Sequence, residues 1–156
     1  MSKEFELAKD KALKTAQKDI DRYFAKRGKY SEYDLRDKAV IQSLTDFPTD
    51  CKSIRYLDVK FKAILLKAQL QKEFPKAEIK VRIDRYSMGA SIDAWIKGEK
   101  EDINESRASQ IGNLYQDRGQ TDTMTDYFDF DNYVHIMFEH GGVVNSIVQF
   151  IGKEMP

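Results

Sequence analysis

Apolar residues recur at three- and four-residue steps through the first 27 residues, the spacing that places them on one face of an α-helix. They are Phe5, Ala8, Ala12, Ala16, Ile20 and Tyr23. Ser2 is a suitable N-cap, and Gly28 suits a helix end because glycine tolerates positive φ. The pattern therefore predicts a long amphipathic helix over 3–27.

A second helix and a connector are predicted next. Ser31 begins a sequence that resembles a capping box, which predicts a helix over about 32–44. Residues 45–53 contain a proline and indicate a connector. We therefore expect an N-terminal helical hairpin over 1–52, followed by an α+β domain over 53–156.

The hydrophobic period changes from helical to extended near Pro75. Asp58 is a candidate N-cap for a helix over 59–73, which ends before the proline because proline lacks the backbone N–H that a helix needs. Over 78–84 apolar and polar residues alternate strictly, which predicts a strand with one buried face. The residues expected to face the core are Ile79, Val81 and Ile83.

The remaining sequence predicts two more strands and two more helices. Residues 86–90 indicate a turn into a second strand over 91–96. A helix over 103–116, a third strand over 133–138 and a final helix from about 143 are expected after it. The predicted fold class is α+β, with an N-terminal helical hairpin followed by a small three-stranded antiparallel sheet packed on helices.

The charges of the chain balance overall but not locally. The 156 residues include 26 Lys and Arg and 26 Asp and Glu, which argues against a globally basic nucleic-acid binder and a globally acidic DNA mimic. Residues 53–85 hold nine basic and four acidic residues, whereas residues 99–131 hold three basic and nine acidic ones. The two segments either neutralise each other in the fold or present oppositely charged faces to partners.

The sequence indicates a cytoplasmic protein without membrane association. No apolar run approaches the roughly 20 residues that span a bilayer. The first residues lack the apolar core of a signal peptide. Cys51 is the single cysteine, so an intramolecular disulfide is impossible, as is usual in a reducing compartment.

Residues 56–133 resemble a known accessory module. The motifs that carry the resemblance are Phe74-Pro75, Ile79-Lys80-Val81-Arg82, Tyr86-Ser87-Met88-Gly89-Ala90-Ser91-Ile92 and Gly119-Gln120-Thr121-Asp122-Thr123-Met124-Thr125-Asp126-Tyr127. The ordered pattern resembles a large polyvalent protein-associated domain, found in giant multidomain proteins of phages and conjugative elements beside counter-defence modules. That family has no well-defined catalytic residues. A small protein built on such a module resembles an anti-CRISPR or antirestriction factor.

Four aspartates interleaved with aromatic residues form a candidate acidic face. They are Asp122, Asp126, Asp129 and Asp131. One interpretation is that they imitate a row of phosphates and bind the basic groove of a nuclease. The alternatives are a divalent-cation site, because hard cations prefer clustered carboxylates, and an ordinary solvated loop.

The predicted hairpin carries a candidate basic and aromatic face. Its residues are Lys80, Arg82, Arg85, Tyr86 and Trp95, with Lys60, Lys62, Lys67, Lys72 and Lys76 adding charge on the preceding helix. Such a face is suited to bind along a nucleic-acid backbone. It is equally suited to bind a protein partner, because an exposed tryptophan often contributes strongly to a protein interface. The alternative for the face as a whole is a solvated surface whose charge is neutralised by the acidic segment. The alternative for Trp95 is burial in the core.

No strong catalytic motif is present. His135 and His140 lack the His-Glu-x-x-His spacing that places two ligands on one helical face. Glu78-Ile79-Lys80 matches the Glu-x-Lys of metal-dependent nucleases, a tripeptide that is common by chance. We therefore expect a protein that is not an enzyme, with no metal and no cofactor.

The expected function combines these observations with the resemblance. We expect a non-catalytic counter-defence protein of a phage or mobile element. It would act in the cytoplasm of a bacterial host and inhibit a CRISPR effector nuclease of the Cas9 type by surface blockade. The alternative is a nucleic-acid-binding accessory protein of a mobile element that uses the basic face. A metal-dependent nuclease is the third class, and the oligomeric state stays open.

Overall fold

The structure is a computed structural model that describes residues 2–86, 89–116, 121–122, 127–128, 131–140 and 143–150. The helices in these ranges are α1 (Lys3–Arg27), α2 (Glu32–Ser43), α3 (Val59–Glu73) and α4 (Glu105–Leu114), with a short 3₁₀ helix at Lys100–Asp102. The strands are β1 (Glu78–Tyr86), β2 (Gly89–Lys97), β3 (Thr121–Asp122), β4 (Tyr127–Phe128), β5 (Asp131–His140) and β6 (Val143–Phe150).

Helix α1 begins and ends where the sequence predicts, because both of its caps are local. Ser2 Oγ accepts a hydrogen bond from the Phe5 backbone N–H over 3.2 Å. Gly28 has a φ of 68° and donates its N–H to the Phe24 carbonyl over 2.7 Å. Its buried stripe, which lies towards α2 and α3, consists of Phe5, Ala8, Ala12, Ala16 and Ile20.

Helices α2 and α3 also start at the predicted caps. Ser31 Oγ accepts from the Asp34 N–H over 3.4 Å, and Asp58 Oδ2 accepts from the Lys60 N–H over 3.1 Å. Helix α3 ends directly before Phe74, as the proline that follows it predicts. Helix α1 packs against both α2 and α3, and α3 in turn packs against β1 and β2.

The main sheet has the strand order β1-β2-β5-β6, and β3 and β4 form a separate two-stranded sheet. Strands β1 and β2 form the predicted antiparallel hairpin, in which Lys80 lies opposite Trp95. Strand β5 runs parallel to β2, with Asp93 beside His135. Strand β6 returns antiparallel to β5.

The α+β class is confirmed, and two details of the predicted sheet are wrong. The sheet is mixed rather than antiparallel, because α4 lies between β2 and β5 in the chain and a helical crossover returns the next strand in the same direction. Residues 143–150 form a fourth strand rather than the expected final helix. A short apolar run fits either period, and here valine and isoleucine favour the extended conformation.

A continuous cluster of buried apolar side chains joins the helices to one face of the sheet. On β1, Ile79 is buried and Val81 and Ile83 are partly buried, as the alternation predicts. The central strands contribute Ala90, Ile92, Ala94, Ile96, Val134, Ile136 and Phe138. The division of the chain at residue 52 stays a prediction. None of the described helices combines the length and apolar character that crossing a membrane requires.

Candidate functional site

The face of the sheet turned away from the helices carries polar and aromatic side chains. We call it the outer face. It consists of Glu78, Lys80, Arg82 and Asp84 on β1, Ser91, Asp93, Trp95 and Lys97 on β2, and Tyr133, His135, Met137 and Glu139 on β5. The register arranges these side chains in rows across the strands, so that residues distant in sequence become neighbours.

Arg82 and Trp95 form the centre of the outer face. The Arg82 Cζ atom lies 5.4 Å from the centroid of the Trp95 ring, within the range of a cation–π interaction. Trp95 is half-buried, whereas the Arg82 side chain is 67% exposed. The pair therefore presents to the solvent a guanidinium group that lies over a half-buried indole ring.

A shallow cavity of about 490 Å³ lies beside this pair. The charged and aromatic side chains along it are those of Glu78, Lys80, Arg82, Trp95, Lys97 and Glu139. Three cations and two carboxylates thus surround one indole ring. This mixture of signs complements a surface that also carries both signs.

Asp93 lies next to Arg82 and stabilises its position. Arg82 Nη2 is 3.5 Å from Asp93 Oδ2, and His135 Nδ1 is 3.2 Å from Asp93 Oδ1. Asp93 is only 7% exposed, and its Oδ1 atom accepts no hydrogen bond from the described residues. A buried carboxylate that is incompletely hydrogen-bonded attracts a nearby cation, so Asp93 attracts the Arg82 guanidinium towards β2.

The structure brings together three residues of the predicted basic and aromatic face. Lys80, Arg82 and Trp95 lie on adjacent positions of β1 and β2 and line the same cavity. The Lys80 Nζ atom is 3.9 Å from Glu78 Oε1. Lys62, expected to add surface charge, is instead 2% exposed, because α3 turns this position inward.

Arg85 and Tyr86 lie at the end of β1 and make other contacts. Arg85 Nη2 is 2.8 Å from Asp58 Oδ2 at the start of α3. The pKa of Asp58 is lowered: burial acts in the opposite direction, but the hydrogen bonds from Arg85 and from the Lys60 backbone N–H outweigh it. The Tyr86 hydroxyl donates to the Ala90 carbonyl over 3.3 Å, and the residue is 43% exposed.

The predicted acidic face lies largely outside the described residues. Asp122 belongs to β3, and Asp131 begins β5, where it lies opposite Gly89. Their side chains, and the whole of Asp126 and Asp129, are not among the described parts. The acidic face therefore stays a prediction.

The described residues hold no group of three or more His, Cys, Asp and Glu side chains that could bind a metal ion. Glu78 and Lys80 share the outer face of β1, as their alternation predicts. Cys51 is exposed.

Two contacts between described residues were not predicted from the sequence. The contact between Asp93 and His135 depends on the parallel register of β2 and β5, which has no local signal. The other is Arg36, whose guanidinium lies over the rings of Tyr33 and Tyr56. The spacing of Tyr33 and Arg36, three residues apart on a predicted helix, was a usable signal for half of this contact.

Comparison with known proteins gave no match among family models, curated proteins or solved structures. The resemblance of residues 56–133 to a polyvalent protein-associated domain stays a prediction. What the protein does is therefore inferred from the side chains of the outer face and from that resemblance.

Proposed function

We propose that the protein is non-catalytic and acts by covering the surface of another protein with its outer face. The observation that carries this proposal is the contact of Arg82 with Trp95 beside an open cavity. Tryptophan and arginine contribute most of the binding energy at many protein interfaces. Because the two side chains already pack together, binding immobilises fewer free rotamers.

The charges favour a protein partner over a nucleic-acid backbone. Lys80 lies near Glu78, and Arg82 lies near the buried Asp93. A phosphate backbone is bound most strongly by cations whose charge is not already compensated. A protein surface that carries both signs complements the alternating charges of the outer face.

The proposed partner is a CRISPR effector nuclease of the Cas9 type in a bacterial cytoplasm. The protein would then be a counter-defence factor of a phage or mobile element that blocks the nuclease sterically and electrostatically. This identification rests on the resemblance of residues 56–133 to modules that travel with counter-defence functions. The acidic segment with Asp122, Asp126, Asp129 and Asp131 is a second proposed contact, for the basic groove of the nuclease.

An inhibition assay tests the proposal. Cas9 loaded with a guide RNA cleaves a target plasmid in the presence of increasing amounts of the protein. We expect the wild-type protein to block cleavage and Trp95→Ala to weaken inhibition by about tenfold or more, as loss of a central interface residue does. Tyr30→Ala is the control. This exposed tyrosine stacks on Phe24 and does not belong to the outer face, so the variant should inhibit like the wild-type protein.

The outcomes separate the alternatives. If Trp95→Ala inhibits fully while the change of all four aspartates to asparagine abolishes inhibition, the acidic segment is the site and the outer face is not. If the wild-type protein neither binds nor inhibits Cas9, the proposed partner is wrong. Salt-sensitive binding to DNA or RNA that is lost with Lys80→Gln and Arg82→Gln would favour the nucleic-acid alternative.

A further inference from the structure

Two tyrosines and two arginines form a stacked cluster on α2 and the connector before α3. Arg36 Cζ lies 5.3 Å from the Tyr33 ring centroid and 5.7 Å from the Tyr56 ring centroid. Arg36 Nη2 also donates to the Tyr56 carbonyl over 3.3 Å. Arg55 Cζ lies 5.2 Å from the Tyr56 ring centroid. We call this group the Tyr–Arg stack.

Both tyrosines remain open to the solvent despite these contacts. Tyr33 is 70% exposed and Tyr56 is 56% exposed, the first being the most exposed large hydrophobic residue in the described part of the chain. An aromatic side chain is well suited to bind a flat ligand when its ring is both held in place and exposed. Tyr33 meets both conditions.

Arg36 differs from several other arginines in its charge environment. Arg82, Arg85 and Arg107 each have a carboxylate oxygen within 4 Å. Within the described residues Arg36 has none within 4 Å: it contacts the two rings and one backbone carbonyl, and it interacts with the buried Asp37 through charge attraction alone. The edge of its planar guanidinium group carries further N–H donors, which suit an anion such as a phosphate.

We propose that the Tyr–Arg stack binds single-stranded nucleic acid, with a base on the Tyr33 ring and a neighbouring phosphate on Arg36. A single strand presents flat bases and anionic phosphates in alternation, and the stack presents two exposed rings beside the exposed Arg36 guanidinium. Every base has a π-face, so this mode of binding is tolerant of sequence. The site does not involve the outer face and does not depend on the function proposed for it.

Fluorescence anisotropy with a labelled oligothymidylate of about ten nucleotides tests this proposal, since single-strand sites commonly span a few to a dozen nucleotides. We expect Tyr33→Ala to weaken binding roughly tenfold, because stacking on one base is lost. Tyr33→Phe keeps the ring and should bind like the wild-type protein. Arg36→Gln should weaken binding and make the dependence of log K on log salt shallower by about 0.7, the value for one phosphate on a single strand.

Two variants control for unspecific effects. Tyr30→Ala removes another exposed tyrosine, which stacks on Phe24 with ring centroids 4.6 Å apart. Arg27→Gln removes an exposed arginine at the end of α1. Both should leave oligonucleotide binding unchanged, and circular dichroism checks that each variant is folded.

Specific outcomes would overturn the proposal. No binding by the wild-type protein would do so, as would equal losses in Arg27→Gln and Arg36→Gln, which indicate diffuse charge attraction. If Tyr33→Ala impairs only binding to a protein, the stack is a protein contact instead. Trp95→Ala should leave oligonucleotide binding unchanged, so failure of this proposal is distinguishable from failure of the function proposed for the outer face.

Discussion

The ammonium group of Lys62 donates a hydrogen bond to Asn132 Oδ1 over 2.7 Å in the interior of the protein. The two residues are 2% and 3% exposed, and they join α3 to the beginning of β5. Lys62 Nζ also donates to the Arg55 carbonyl over 3.1 Å, and Asn132 Nδ2 donates to the Tyr115 carbonyl over 2.7 Å. A buried ammonium group requires such acceptors, so Asn132 fixes the position of β5 against α3.

Asn132→Ala should therefore destabilise the protein strongly. The substitution removes an acceptor from a buried charged group and a donor to a buried carbonyl, and we expect the free energy of unfolding to fall by about 3 kcal/mol. Asn113→Ala is the matched control on the exposed side of α4, where surface substitutions change stability by about 0.5 kcal/mol or less. Urea denaturation measures both. Equal stabilities of the two variants would show that Asn132 does not support Lys62.

Local signals in the sequence predicted helices α1 to α4 but wrongly predicted a further helix over residues that form β6, and they did not predict long-range pairing. The ends of α1 follow from Ser2 and Gly28, which act within a few residues of the helix. The direction of β5 depends on where α4 packs, and no short segment encodes that. The burial of Lys62 depends on Asn132, which lies 70 residues further along the chain. A lysine on an amphipathic helix predicts a surface position unless such an acceptor is known.

In the candidate site too, local patterns were predictable from the sequence and contacts between distant strands were not. Strict alternation on β1 placed Lys80 and Arg82 on one face, and the hairpin register then placed Trp95 beside them. The contact between Asp93 and His135 was not predictable, because it requires the parallel pairing of β2 with β5. Side-chain alternation thus identifies the face of a strand, and only the topology identifies its neighbours.

Asp37 on α2 should make the protein less stable as the pH rises. It is 6% exposed, and its pKa is raised to about 6, first by burial and then by the negative charge of Asp58. Asp34 raises the pKa further, whereas Arg36 and Lys60 lower it. Since the folded-state pKa exceeds the ordinary value of 3.8, ionisation costs the folded state free energy. Stability is therefore lost as the pH rises through about 6.

Asp37→Asn removes this cost. A rise from 3.8 to about 6 corresponds to about 3 kcal/mol, so the variant should gain up to that amount at pH 8. The gain should shrink towards zero as the pH falls to 4. Denaturation at a series of pH values measures this gain in stability. The control is Asp10→Asn, which replaces an exposed aspartate. A stability difference between Asp37→Asn and wild type that does not change with pH would contradict the assignment.

Asp58 should have the opposite pH dependence. Arg85 and the Lys60 backbone N–H lower its pKa despite burial, so its contribution is present above the ordinary value and is lost as the pH falls through the folded-state pKa. A double-mutant cycle with Asp58→Asn and Arg85→Gln isolates the ion pair, since asparagine remains a good N-cap. We expect a coupling energy of about 0.5–1 kcal/mol at pH 7 for this half-exposed pair. A coupling energy that is as large at pH 2 as at pH 7 would exclude the charge interaction.

Trp95 is the single tryptophan of the chain, so its fluorescence reports directly on the outer face. Arg82→Ala uncovers the indole ring, and we expect emission at longer wavelength and stronger quenching by acrylamide because the ring meets more water. Asp93→Asn weakens the attraction that holds Arg82 and should produce a smaller change in the same direction. Lys76→Ala, an exposed position between α3 and β1, should leave the spectrum unchanged. If Arg82→Ala also leaves it unchanged, the guanidinium does not cover the ring in solution, and the preformed contact proposed for partner binding is absent.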